Sequence, residues 1–247
     1  MRDLDGLRIL LTRSEGRCHL WAAEIEARGG TPLLLPCIHH ETLDSPETAS
    51  RLQTALGSAA WLVLTSPRGA QAVSRMVPLP LPPGLAIGVV GTATAKSAVE
   101  LLGRVDLVPD RQTGASLAGA LAMLLEPPHE PFGERSPHVV VATAEGGRHD
   151  LERELERRGV AVARIAVYRT VSAPPLEPRH VFRSPVDVVL LASPSAVRGL
   201  VAQAQIGPET GVITIGPTTS AAARKAGFQV VAEAEQPNLD GMLEAIP

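Results

Sequence analysis

Short apolar runs alternate along this chain with longer stretches whose apolar positions recur at helical spacing. Leu7–Thr12 reads as a buried strand, and Arg17–Arg28 as a helix closed by Gly29-Gly30. Strands follow at Thr31–Pro36, Trp61–Thr65, Leu85–Val90 and Val105–Val108, with helices at Pro67–Met76, Thr92–Leu102 and Gly114–Leu125. In the second half, strands are predicted at His138–Ala142, Val160–Val171, Val186–Ala192, Val212–Ile215 and Gln229–Ala232. The helices there are Gly147–Arg158, Pro194–Ala204, Pro217–Ala226 and Leu239–Ile246. Strict alternation of strand and helix predicts an α/β fold of parallel βαβ units. The strands are apolar throughout, as expected when helices cover both sheet faces.

The halves match each other. Leu10–Arg17 (LLTRSEGR) resembles Val141–Arg148 (VATAEGGR), and Glu26–Pro36 resembles Glu156–Val167. Trp61–Val73 (WLVLTSPRGAQAV) aligns with Val188–Leu200 (VVLLASPSAVRGL), and Val89–Ala98 with Thr214–Ala223. One such pair between generic βαβ units is ordinary, but four in unbroken order argue for duplication. Proline-rich breaks at Pro78–Pro83, Pro127–Pro137 and Pro174–Pro178 look like linkers by composition. The middle one divides the chain into halves of similar size.

Composition narrows the function classes. At 247 residues the chain has room for two ordinary domains, and aromatics at 2% leave aliphatic and alanine packing to fill the core. A formal charge of −3 argues against a nucleic-acid footprint. Cys18 and Cys37 are too few for a disulfide framework or a zinc site and read as buried, inert thiols. The start Met1-Arg2-Asp3-Leu4-Asp5-Gly6 lacks the charged-then-apolar run of an export signal, and no apolar stretch is long enough for a membrane span. A cytoplasmic protein without a membrane partner is expected.

Three features recur in both halves at carboxyl ends of predicted strands. An acidic glycine turn opens a helix at Ser14-Glu15-Gly16-Arg17 and at Ala144-Glu145-Gly146-Gly147-Arg148. Ser66-Pro67 and Ser193-Pro194-Ser195 open helices, and a glycine precedes threonines at Gly91-Thr92-Ala93-Thr94 and Gly216-Pro217-Thr218-Thr219. Capping alone accounts for each turn, because a hydroxyl satisfies an orphan amide and proline suits the first helical position. Taken together, six helix N-termini at strand carboxyl ends also make a surface for a polycarboxylate. No complete dinucleotide fingerprint, P-loop or nucleophile elbow is present, and the histidines show no metal spacing. Tyr168, the one tyrosine, ends a long strand. Its ring suits core packing, and its phenol suits proton donation or a directed hydrogen bond.

The chain resembles the uroporphyrinogen-III synthase family from Leu7 to Ile246. The resemblance is carried by Leu11-Thr12-Arg13, Leu64-Thr65-Ser66-Pro67, Val90-Gly91-Thr92-Ala93-Thr94-Ala95, Glu145-Gly146-Gly147-Arg148, Val167-Tyr168-Arg169-Thr170, Ser193-Pro194-Ser195-Ala196-Val197 and Ile215-Gly216-Pro217-Thr218-Thr219. Each is short, and their order and completeness are what is specific. Ser14 stands where the family commonly has proline, and Ala142-Thr143-Ala144 where it often has Pro-Arg-Gly.

The resemblance implies two similar parallel-sheet α/β domains joined by a two-stranded linker, with the active site in the cleft between them. Carried onto this chain, one domain takes residues 1–36 and 174–247, and the other takes 42–164. Residues 37–41 and 165–173 become connecting strands, and Pro127–Pro137 becomes a loop inside the second domain. Duplication with exchange of the first βαβ units reconciles this layout with the repeat. The implied reaction closes hydroxymethylbilane, a linear tetrapyrrole octacarboxylate, to uroporphyrinogen III with ring D inverted through a spiro intermediate. No metal or cofactor is implied. Tyr168 matches the family's tyrosine that assists hydroxyl departure. Thr12, Arg13, Ser66, Thr92, Thr94, Gly146, Gly147, Arg148, Ser193, Ser195, Thr218 and Thr219 become substrate-binding candidates.

A monomer in transient contact with neighbouring pathway enzymes is expected, standing alone because no DNA-binding or methyltransferase segment precedes Pro247. The rival readings are a non-catalytic two-lobed module for a tetrapyrrole and a small-anion binding protein.

Overall fold

The computed structural model describes residues 3–125 and 138–247. In chain order the first elements are β1 (Arg8–Leu11), α1 (Glu15–Ala27), β2 (Thr31–Leu34), β3 (Ile38–Thr42), α2 (Pro46–Ser58), β4 (Trp61–Leu64) and α3 (Pro67–Met76). Then come β5 (Ala86–Val89), α4 (Thr92–Leu102), α5 (Gly114–Leu124), β6 (Val139–Ala144), α6 (Asp150–Arg157) and β7 (Val162–Ser172). The chain finishes with β8 (His180–Val181), β9 (Val188–Leu191), α7 (Pro194–Gln203), β10 (Ala204–Gln205), β11 (Gly211–Thr214), α8 (Pro217–Lys225), β12 (Val230–Glu233) and α9 (Leu239–Glu244). Local chemistry explains several helix starts. Ser45, Ser66 and Ser193 each accept, through Oγ, the N–H three residues on, at 3.2, 3.2 and 3.1 Å. In each case proline occupies the first helical position, where its missing N–H costs nothing.

The chain divides into two compact units: residues 1–40 with 170–247, and residues 41–169. Both passages between the units lie inside strands, the first in β3 and the second in β7. These strands are neighbours. Ala173 N–H donates to the Cys37 carbonyl and Leu43 N–H to that of Val167, so the two strands run antiparallel.

The first unit carries a five-stranded sheet in the order β12-β11-β9-β1-β2, parallel throughout. Counted along that unit, the order is 2-1-3-4-5, and it reverses direction between β1 and β9. The second unit has the order β3-β7-β6-β4-β5, with β7, β6, β4 and β5 parallel. A parallel bridge from Gly88 to Leu107 adds a fifth position beyond β5. Apart from the antiparallel edge strand β3, the order counted along this unit is 5-4-1-2-3, which becomes that of the first unit when β6 and β7 are counted first, and it reverses between β6 and β4. The duplication seen in the sequence is therefore also a duplication of topology.

Alternate strand residues enter different cores. In the first unit Ile9 and Leu11 pack with Trp21 and Ile25 of α1, whereas Leu10 packs with Val197 and Leu200 of α7. In the second, Leu62 and Leu64 meet Val73 of α3, and Val63 meets Leu117 and Leu121 of α5. Both faces are covered, so the central strands are apolar along most of their length, as their runs predict.

Several expectations change. Val105–Val108 contributes only the single bridge at Leu107, since Asp106 turns the chain by accepting the Ile87 N–H through its carboxylate at 2.7 Å. Helix α6 begins at Asp150, not Gly147, and residues 145–149 before it form a turn in which Gly146 has a left-handed φ of +98°. Helix α2 and strand β3 arise where periodicity predicts no element. The proline-rich stretch 127–137 lies outside the described residues. Among those described, no helix is long and apolar enough to cross a membrane.

Candidate functional site

In open parallel sheets, ligands bind beyond the strand carboxyl ends where the strand order reverses. In the second unit that point lies between β4 and β6. A concavity of about 460 Å³ opens there, lined by Thr65, Ser66, Thr143, Gly147, Arg148 and Tyr168 among others.

Tyr168 and Ser66 meet across it, with Oη and Oγ 3.0 Å apart. Ser66 Oγ also accepts the Gly69 N–H, which fixes the hydroxyl at the head of α3. The phenol is aimed by an irregularity in the ladder. Thr143 pairs with Ala166, but the next residue, Ala144, pairs with Tyr168, so β7 carries one extra residue. Bulges of this kind re-aim a side chain near the end of a sheet. Glu145 N–H then donates to the Tyr168 carbonyl at 2.8 Å, tying the tyrosine backbone to the turn after β6.

That turn holds Gly146, Gly147 and Arg148. Gly147 has a packing reason: a Cβ there would lie 3.1 Å from both Arg164 Nη2 and Thr143 Oγ1. Thr143 is buried, and its hydroxyl stands 3.2 Å from that of Thr65, joining the ends of β6 and β4. The Arg148 side chain is exposed.

A third edge comes from the loop before α5. Gln112 Oε1 accepts the Thr92 N–H at 3.3 Å, and a Cβ on Gly91 would approach that oxygen to 2.5 Å. Gln112 thus covers the N-terminus of α4, where Thr92 is exposed. Thr94, two residues on, is buried.

The first unit presents its own turns. Thr12 is fully buried and its hydroxyl donates to the Leu190 carbonyl at 2.7 Å, joining β1 to β9. The Arg13 guanidinium lies 5.0 Å over the Trp21 ring. Ser193 caps α7, and Ser195 Oγ accepts from Arg198 at 3.1 Å while its carbonyl accepts from the Ser172 hydroxyl at 3.0 Å. Thr218 is exposed, whereas Thr219 is buried. Burial pushes the Cys18 thiol up to about 11 and the Cys37 thiol to about 12. Among the described residues, no three His, Cys, Asp or Glu side chains gather as a metal site would need.

The description "Uroporphyrinogen-III synthase HemD" belongs to a family model that matches residues 20–244. The chain belongs to the uroporphyrinogen-III synthase family. Among relatives of this family, the chloroplastic uroporphyrinogen-III synthase of Oryza sativa subsp. japonica is 29% identical over 251 residues, which covers 96% of this chain and 79% of that protein. The Synechococcus elongatus uroporphyrinogen-III synthase is 26% identical over 266 residues, covering 99% of this chain and 96% of its own. Crystal structures agree on the fold. The Helicobacter pylori synthetase superposes with a TM-score of 0.57 at 15% identity, covering 96% of this chain and 97% of that one. A mutant synthase from Thermus thermophilus gives 0.53 at 20% identity, covering 97% and 96%.

Of the residues expected at the synthase site, Ser66, Gly147, Arg148 and Tyr168 line the concavity of the second unit. Gly146 supplies the left-handed bend of the same turn. Thr12, Thr94 and Thr219 are buried. Gln112 and Arg164 escape sequence reading. Arg164 had one available signal, a charge inside the apolar strand Val162–Val167; Gln112 had none.

Proposed function

We propose that this chain closes hydroxymethylbilane to uroporphyrinogen III with inversion of ring D. The observation that carries the reading is a phenol and a serine hydroxyl 3.0 Å apart at the strand-order reversal of a uroporphyrinogen-III synthase family member. Departure of the terminal hydroxyl as water is driven by the pyrrole electron pair, so no metal or cofactor is assigned. It needs a proton, and Tyr168 is the donor in this reading, directly or through a bound water. Ser66 Oγ holds the phenol in place. The resulting azafulvene closes to the type I ring unless it is held otherwise. The protein's task is to favour attack at the substituted carbon of ring D, giving a spiro intermediate that fragments and recloses inverted. That contribution is geometric.

Carboxylate contacts are assigned to the Gly146-Gly147-Arg148 turn and to Thr92 in the second unit, and to Arg13, Ser193, Ser195 and Thr218 in the first. Helix N-terminal N–H groups suit carboxylates. Thr12, Thr94 and Thr219 contribute through the backbone they brace. The reading includes a cytoplasmic monomer that meets neighbouring pathway enzymes only transiently.

A coupled assay that generates hydroxymethylbilane, with chromatographic separation of the type I and type III isomers, tests it. Type III product is expected, and type I alone would refute the assignment. Tyr168→Phe should lower turnover by about tenfold or more, as loss of a general acid does. Its thermal transition should stay within a few degrees of wild type.

A further inference from the structure

One guanidinium shapes the turn between β6 and α6. Arg164 sits on β7 in register with Val141 of β6. Its Nη2 donates to the carbonyls of Ala144 and Gly147, both at 3.1 Å. Its Nη1 donates to the Arg148 carbonyl at 3.1 Å and to the carboxylate of Glu152. Three carbonyls of one turn and a carboxylate from the first turn of α6 are gathered on a single planar cation. Glu152 is 5% exposed, so the charge it brings inside is met in the interior by this arginine.

The repeat shows that this device is no general property of the unit. Leu33, in register with Leu10 of β1, holds the place that Arg164 holds beside Val141. The turns differ to match. In the first unit α1 starts at Glu15, directly after Ser14. In the second, residues 145–149 intervene between β6 and α6. Backbone carbonyls in such an extended turn lack helical partners and must find others. Arg164 supplies them, and only a rigid fork of donors reaches several oxygens at once; a lysine ammonium does not.

We propose that Arg164 is a positioning residue for substrate carboxylate binding. By engaging the carbonyl oxygens of Ala144, Gly147 and Arg148, it removes the acceptor face that would repel a carboxylate and fixes the turn that lines the concavity. The inference rests on the polycarboxylate substrate assigned above.

Three variants test it. Arg164→Lys keeps the charge beside Glu152 but loses the fork. KM for hydroxymethylbilane should rise about tenfold while kcat stays within about twofold, the pattern of lost uniform binding. Amide hydrogen exchange at residues 145–149 should quicken by about tenfold or more as the turn loosens. Glu152→Gln retains the fork and should shift both readouts less than Arg164→Lys. Should Arg164→Lys fail to fold, the double variant Glu152→Leu/Arg164→Leu removes both buried charges, with leucine as at position 33, and should show the same rise in KM. Unchanged exchange at 145–149, or an unchanged KM, in a folded Arg164 variant overturns the proposal. The exchange arm needs no turnover. A wild-type chain that yields only type I product refutes the function and leaves exchange to judge Arg164.

Discussion

At the scale of single residues, position in a packed layer decides what a side chain does. Thr92 and Thr94 are two residues apart, as close as Ser193 and Ser195, yet Thr94 is buried and Thr92 exposed. Thr219 repeats the inward turn in the other unit. Helical phase produces this, and the phase is set by what the helix packs against. Gly199 shows the same dependence: a Cβ there would fall 1.9 Å from the Cys37 carbonyl oxygen. Gly199→Ala should therefore destabilise the chain by about 3 kcal/mol or more, since backbone cannot yield as a side chain would. Urea unfolding measures it, and a loss below about 1 kcal/mol would contradict the close approach. The buried thiols carry a pH signature. Cys18 and Cys37 titrate near 11 and 12 when folded, against 9.0 for a free thiol. The unfolded chain ionises first as pH rises, so the stability from neutral thiols is whole below pH 9 and falls away between 9 and 12. Unfolding free energies at pH 8 and pH 10 should show that fall, and Cys37→Ala should flatten it.

At the scale of elements, the serine-proline signature was legible in the sequence as a helix start, and Ser66 and Ser193 cap α3 and α7 as such a signature requires. The same signature at Ser45-Pro46 opens α2, whose exposed, weakly apolar face hid it from periodicity. Capping and function separate by comparison. Ser45→Ala and Ser66→Ala should each cost about 1 kcal/mol of stability as lost caps. Only Ser66→Ala should also reduce turnover, because Ser66 is the cap that meets Tyr168. Equal turnover in both variants would leave Ser66 with capping alone.

At the scale of the whole molecule, the second unit is one continuous stretch, residues 41–169, with its own sheet and cores, whereas the first is assembled from 1–40 and 170–247. A fragment of residues 41–169 should melt cooperatively by circular dichroism, and a broad, non-cooperative melt would show that its packing depends on the remainder. The sequence by itself determined the α/β class, the parallel strands and the duplication. Those properties reside in local periodicity and in repeated segments, which survive in one dimension. Tertiary structure alone decided that β1 pairs with β9 and β6 with β4, because strand partners are chosen by burial of both faces rather than by nearness in the chain. It alone decided that Arg164 serves Ala144, Gly147 and Arg148. Such contacts gather residues 16–20 positions apart across a turn, and no spacing rule encodes them.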